Sequence, residues 1–196
     1  MKTLIAVSLL TITCLTAFAG GKEKYEINMP YDSVTNKYAY NKVVAVPGKS
    51  DHDLYVNAKN WSKRKFQNEK PTIDEDSTEF MDKGNFEISV VMNAGMVKMP
   101  VKGTVLFTMD FQFKDEKYKL AITDIKLSDN ASGTTTEKTM EVFAKEVDQM
   151  GGIYAAGKGA GKKMTADIMN AADTKMLELI KEIETALAAS SNKSDW

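Results

Sequence analysis

The sequence predicts an α+β fold: a single antiparallel sheet of four to six strands with helices on one face, plus a C-terminal helical extension. Three observations predict it. A capped segment at helical spacing, residues 50–66, lies between one strand-like run and a group of others. The runs that follow alternate apolar and polar residues, so each strand has one wet face, as in an antiparallel sheet covered on one side only. Beyond residue 137 the period becomes helical and stays so for most of the remaining chain. The predicted order is β-α-β-β-β-β-α.

The first strand is KYAYNKVVAV, residues 37–46, where Tyr38, Tyr40, Val44 and Val46 share a face at period two and Pro47-Gly48 ends the run. In the helix that follows, Ser50 and Asp53 have the spacing of a capping box, and the acids of the first turn suit the positive end of the helix dipole. Leu54, Tyr55, Ala58, Trp61, Ser62 and Phe66 form its inner stripe; Asn57, Lys59, Lys63 and Arg64 form the outer one. Residues 72–80 read as a weak strand, and residues 85–93 as a better one with Phe86, Ile88, Val90 and Met92 inward. Residues 101–114 alternate cleanly, with Val105, Phe107, Met109, Phe111 and Phe113 on one face. The turn Asp115-Glu116 leads to KYKLAITDIKL, whose apolar phase jumps from Tyr118, Leu120 and Ile122 to Ile125 and Leu127. That jump predicts a bulge near Asp124. Thr134 and Glu137 read as a second capping box, opening a helix marked by Met140, Phe143, Val147 and Met150. A glycine-rich connection and a long helix over residues 164–189 follow, with Ile168, Ala172, Met176, Leu179, Ile180, Ile183 and Leu187 on its stripe.

The N-terminus, MKTLIAVSLLTITCLTAFAGG, has the parts of a secretory signal peptide: Lys2, an apolar run to Leu15, and the small-x-small site Ala17-Phe18-Ala19. Export to the periplasm or the medium is therefore expected, with cleavage near Ala19. Cys14, the only cysteine, raises the rival of a lipoprotein anchored through it. Thr11-Ile12-Thr13 lacks the usual small residue beside such a cut, so the cysteine is expected to leave with the leader. The expected organisation is a signal peptide (1–19), an irregular lead-in (20–36), an α+β domain (37–130), a helical region packed on it (131–189) and a frayed tail (190–196). The formal net charge of −1 becomes −2 once Lys2 leaves with the leader, and such a balance points away from nucleic acid and from anionic membrane. No transmembrane helix is expected in the mature chain.

Residues 37–127 resemble a family of exported bacterial proteins known as domain of unknown function 4468, with a TATA-binding-protein-like (TBP-like) fold. The residues that carry the resemblance are VVAVPGKSDHDLYVNAKNWSKRKF, GNFEISV and KDEKYKLAITDIKL. The resemblance implies a curved antiparallel sheet with helices on one face. It implies no reaction, no catalytic residues and no DNA binding, because fold does not determine function.

Residues 154–164, YAAGKGAGKKM, invite comparison with a phosphate loop, which needs Gly, four residues, then Gly-Lys and a hydroxyl. Aligned on Gly161-Lys162, Ala156 stands where the first glycine should be, and Lys163 where the hydroxyl should be; Thr165 comes two residues late. A helix rather than a strand precedes it, so a flexible connection or a close helix crossing is the better reading. His52 is the only histidine, which excludes a two-histidine metal site, and its place in a capped first turn suggests solvation. Asp74, Glu75 and Asp76 lack the glycine turn and distant glutamate of a calcium loop. Trp61 with Lys59, Lys63, Arg64 and Lys65 reads as a helix anchor with a solvated outer face rather than a nucleic-acid patch. Thr104, Thr108, Asp110, Gln112, Lys119, Ala121 and Thr123 predict a polar open face on the sheet.

These residues yield no catalytic, cofactor-binding or metal-ligating set, and the reading leans away from an enzyme. The expectation is a non-catalytic binding module of the cell envelope, for a protein, glycan or small ligand. The alternatives are a structural protein that self-associates through residues 137–189 and, behind it, a hydrolase built from scattered carboxylates.

Overall fold

A computed structural model describes residues 25–67, 78–94, 97–129, 135–149 and 158–189. In chain order the elements are β1 (Tyr31–Asp32), β2 (Lys37–Tyr38), β3 (Tyr40–Ala45), α1 (Asp51–Phe66), β4 (Glu79–Ala94), β5 (Val97–Lys114), β6 (Lys117–Asp129), β7 (Thr136–Thr139), α2 (Met140–Gln149) and α3 (Lys158–Ala188). Five strands form a curved antiparallel sheet in the order β3-β6-β5-β4, with β7 taking the edge of β6 beyond the end of β3. Strands β1 and β2 make a separate small hairpin. The fold is α+β, with α1 and α3 on the apolar face of the sheet.

Helix α1 starts where the serine and aspartate require. The Ser50 hydroxyl accepts the Asp53 amide at 3.1 Å and donates to the Asp53 carboxylate at 2.9 Å, so the box closes side chain to side chain. Asp115, in the β5–β6 turn, takes a further amide of the first turn, that of Asp51, at 3.1 Å. Leu54, Tyr55, Ala58, Trp61 and Ser62 are buried against the sheet and α3. The far end of α3 has no cation of its own in its last turn. Neighbouring segments supply the missing partners: Lys49 Nζ donates to the Ala189 carbonyl at 2.7 Å, and Asn57 Nδ2 donates to the Leu187 and Ala189 carbonyls.

The bulge forms where the apolar phase jumps. Leu106 pairs with Lys126 and Thr108 with Thr123, so Phe107 alone faces the two residues Asp124 and Ile125. Asp124 takes a left-handed φ of 50°, and Ile125 and Leu127 thereby return to the core face.

The structure departs from the sequence reading in four places. The two strands expected over 72–80 and 85–93 are, from Glu79 on, one continuous strand, β4, paired with β5 along its whole length; residues 72–77 lie outside the described residues. Gly84, which resembles a break, is an inward position of that strand, where the Phe107 ring occupies the space a Cβ would take. The second helix begins later than a Thr134–Glu137 box would place it. Residues Thr136–Thr139 pair with β6 instead, and Thr139 Oγ1 accepts the Val142 amide at 3.4 Å at the helix start. The long helix begins at Lys158 rather than 164, so Gly159 and Gly161 are helical. Glycine is a poor helix former, but a helix in a protein draws most of its stability from its packed face. That face holds the apolar stripe, in which Met169, Ala172, Met176, Ile183 and Leu187 are fully excluded from solvent.

The lead-in is also more regular than expected. Met29 is buried, and the side chain of Asn170 on α3 accepts the Asn28 amide at 2.8 Å and donates to the Glu26 carbonyl at 2.9 Å. Asn170 thus holds the extended segment as a neighbouring strand would, and the β1–β2 hairpin follows from it.

Candidate functional site

The docked lead-in creates a cleft of about 360 Å³ between itself, β2, α2 and the first turns of α3. Tyr25, Ile27, Tyr31 and Tyr38 form one wall; Glu141, Ala144 and Lys145 come from α2, and Lys162, Thr165 and Ala166 from α3. The Tyr31 and Tyr38 rings meet edge to face, with centroids 5.1 Å apart at 65°. The hairpin turn behind them is held by Asp32, whose carboxylate accepts the Val34 amide and the Thr35 hydroxyl, each at 2.8 Å. Those bonds, led by the one from Val34, hold the Asp32 carboxyl below its ordinary range.

Glu141 is held in place at the cleft. Its Oε1 accepts the Tyr38 amide at 2.7 Å, which joins α2 to the hairpin. The Tyr38 hydroxyl is raised above its ordinary value, first by burial and then by Tyr31 and Glu141, so it remains a donor at neutral pH. Lys145 stands one turn beyond Glu141, yet the two do not pair, because Glu141 is turned toward the hairpin. Lys163, beside the cleft, pairs with both oxygens of Asp167 at 3.2 and 2.9 Å and lies over the Tyr25 ring at 5.9 Å.

The glycine–lysine stretch therefore contributes to a site, though not by the chemistry its pattern suggests. Gly161 and Lys162 lie inside a helix, and a helix, α2, precedes them in place of a strand. The Thr165 hydroxyl donates to the Gly161 carbonyl at 3.2 Å, within its own helix. Ala156 lies outside the described residues, as do Asp74, Glu75 and Asp76. Among the described residues, no group of three or more His, Cys, Asp or Glu is placed to hold a metal ion.

The other residues singled out in the sequence are dispersed. His52 is exposed in the first turn of α1. Ser62, whose hydroxyl bonds the buried Asp82 carboxylate, lies about 15 Å further along the helix at the usual rise per residue. The Ser62–Asp82 pair is thus remote from His52. Trp61 is buried and packs edge to face on Phe66, 5.7 Å away, while Lys59 lies over the Tyr55 ring. Lys65 pairs with Glu182 at 2.6 Å and Lys42 pairs with Glu184, so these lysines tie α1 and β3 to α3. The residues predicted for the polar face do lie together in register: Thr108 pairs with Thr123, Asp110 with Ala121 and Gln112 with Lys119. A second, more open depression of about 470 Å³ at the end of the sheet is lined by Asp51, Thr78, Glu79, Gln112, Phe113, Lys114 and Asp115 and offers no exposed ring.

Strand, capped helix and antiparallel sheet in this order place the chain among known proteins. Residues 40–128 match the DUF4468 family. Its description is a domain of unknown function with TBP-like fold. A TBP-like protein from Parabacteroides distasonis is similar in structure, with a TM-score of 0.50 at 12% identity over 81% of this chain and 96% of that one. A DUF4468 family protein from Bacteroides ovatus has a TM-score of 0.48 at 14% identity, over 84% and 93% of the two chains. No curated protein matches the chain. The DUF4468 match runs from β3 to β6, and every residue lining the cleft falls outside it. The match thus takes in β3, α1, β4, β5 and nearly all of β6, whereas the cleft is lined by the segments on either side.

Sequence reading missed Tyr25, Tyr31, Tyr38, Glu141 and Lys145 as a group. The available signal was two tyrosines, Tyr25 and Tyr31, within a polar lead-in, with Tyr38 just beyond it. Tyrosines at irregular spacing serve a surface that periodicity does not describe.

Proposed function

We propose that this protein is an exported, non-catalytic binding module of the cell envelope that takes its ligand in the tyrosine-lined cleft. The observation that carries the reading is the cleft itself: two tyrosine rings set edge to face beside a carboxylate that is already anchored through one oxygen. Concave sites that combine an apolar wall with a few placed polar groups are the usual form of a small-ligand pocket. The leader over residues 1–19 supports an envelope location. Among the described residues no helix is long and apolar enough to cross a membrane.

A thermal-shift screen of the mature chain against glycans, lipids and peptidoglycan fragments tests the binding role. The expected result is at least one stabilising compound whose effect disappears in Tyr38→Ala. A blank screen, or a stabiliser indifferent to that substitution, would remove the basis for the cleft. Fractionation with N-terminal sequencing tests export: the expected first residue is Gly20, and a chain retained in the cytoplasm with Met1 intact would refute it.

A further inference from the structure

Resting on the reading that the cleft binds a ligand, we infer that the ligand is a zwitterion built on a quaternary ammonium, a trimethylammonium group with a carboxylate or phosphate a few bonds away. The charges left uncommitted in the cleft are one of each sign. Glu141 gives one oxygen to the Tyr38 amide and has no further hydrogen bond or ion pair among the described residues. Lys145 is exposed one turn beyond it and has no partner among them, whereas Lys162 has an interaction of its own. Glu141 and Lys145 stand about 6 Å apart along the helix axis and do not pair. A ligand bearing both signs fits between them, its cation beside the free Glu141 oxygen and its anion against Lys145. A ligand of single charge would meet one partner and one like charge.

The tyrosine wall argues for a quaternary ammonium as the cation. Aromatic faces attract cations through the ring quadrupole, and cages of such rings are the usual holders of quaternary ammonium groups. Tyr31 and Tyr38 meet at 65°, which makes a corner, and Tyr31 is half exposed, with its hydroxyl donating to Asn36 at 3.3 Å. The same wall already holds one cation, since Lys163 Nζ lies 5.9 Å from the centre of the Tyr25 ring. A primary ammonium carries three N–H donors, and the one free carboxylate oxygen of the corner can take a single one of them, leaving the others against ring faces. A trimethylammonium has no donor to satisfy and presents methyl groups to Ile27, Ala144 and Ala166. The volume of about 360 Å³ lies near the lower end of the usual range for ligand pockets and accommodates such a group with its anion.

Calorimetry on the mature chain compares glycine betaine and phosphocholine with choline, which lacks the anion, and with glycine, which lacks the methyl groups. Either quaternary zwitterion should bind roughly tenfold or more tightly than both controls, the effect of one charge-assisted hydrogen bond or one desolvated cation–π contact. Lys145→Gln, a change at an exposed side chain, should bring the zwitterions down to the level of choline and leave choline itself bound no more weakly. Tyr31→Phe should bind as the wild type does, whereas Tyr31→Leu, which keeps apolar area but loses the ring, should lose roughly tenfold. Choline or glycine binding as tightly as the zwitterions would overturn the inference, and so would no binding of any of them or indifference to Tyr31→Leu. Pelleting with phosphatidylcholine vesicles would assign the group to a lipid headgroup, and binding of the soluble zwitterions alone to a free solute; both outcomes support the inference. If the thermal screen yields a compound lost in Tyr38→Ala while no quaternary zwitterion binds, the cleft stands and only the ligand class falls. If neither experiment finds a ligand, both fall.

Discussion

Gly84→Ala is the most direct test of how the sheet is packed. A Cβ at this position would lie 2.5 and 2.6 Å from the Cε2 and Cζ atoms of Phe107 and 2.8 Å from Cζ of Phe66. Carbon atoms prefer separations of about 3.5–4.0 Å, so the rings would have to retreat by roughly 1 Å. They have little room to do so. Phe107 is 3% exposed, with Phe86 5.5 Å away on one side and Phe66 6.1 Å away on another, and Phe66 in turn rests on Trp61. Overpacking of this kind costs about 1–3 kcal/mol. Replacing a strand glycine by alanine recovers about 0.5–1 kcal/mol of backbone entropy. The expected net loss is therefore about 1 kcal/mol and at most about 2.5. Urea unfolding would show it as a lower midpoint with an unchanged slope. Phe66→Leu in the same background should recover part of the loss, read as coupling in a double-mutant cycle. If Gly84→Ala matched or exceeded the wild type in stability, the argument for a ring-filled position would be wrong.

Three further changes probe the buried hydroxyls and the first cap. The Tyr118 hydroxyl is buried with no hydrogen-bond partner, so Tyr118→Phe should stabilise the protein by about 1 kcal/mol, and a loss of stability would refute that account. The Tyr40 hydroxyl donates to Asp173 at 2.6 Å in the core; Tyr40→Phe strands that carboxylate and should cost about 1–3 kcal/mol in urea unfolding. Burial, and then Asp173, raise the Tyr40 hydroxyl above its ordinary value of 10.0, and burial followed by Glu184 does the same for Tyr118. Ionising either hydroxyl therefore disfavours the folded state, so stability is unaffected by them below about pH 10 and declines as pH rises above it; the double Tyr→Phe variant should show a flatter alkaline limb in Tm against pH. Ser50→Ala removes the cap of α1 and should cost about 1 kcal/mol, restored in large part by Asp at the same position.

The apolar stripe of α3 bears on the self-association reading. Ile168, Ala172, Met176, Leu179, Ile180, Ile183 and Leu187 are all buried within this chain's own core. Cutting the chain at residue 130 would remove that stripe and expose the apolar face of the sheet and α1 that it covers. Association of the intact chain is better tested with exposed apolar residues of α2 and α3, Val142 and Leu177, by light scattering of Leu177→Lys against the wild type.

Local patterning determined much of the scaffold. Ser50 and Asp53 set the start of α1, period-two alternation set the inner faces of β5 and β6, and a one-residue phase jump located the bulge at Asp124. Each depends on residues close in sequence, where side-chain period and capping chemistry act directly. Only tertiary structure decided that Gly84 continues a strand, because the reason is a phenylalanine ring 23 residues away. The same holds for Thr136–Thr139, whose β6 partners offered a ladder that outweighed a local helix start. It decided too that the glycines of residues 158–161 belong to α3, since packing further along the helix sustains it. The cleft was least legible of all. Its walls come from residues 25–38, 141–145 and 162–166, and only the docking of the lead-in on Asn170 brings them together. No local period encodes that meeting; it follows from which surfaces remain uncovered after the core is buried.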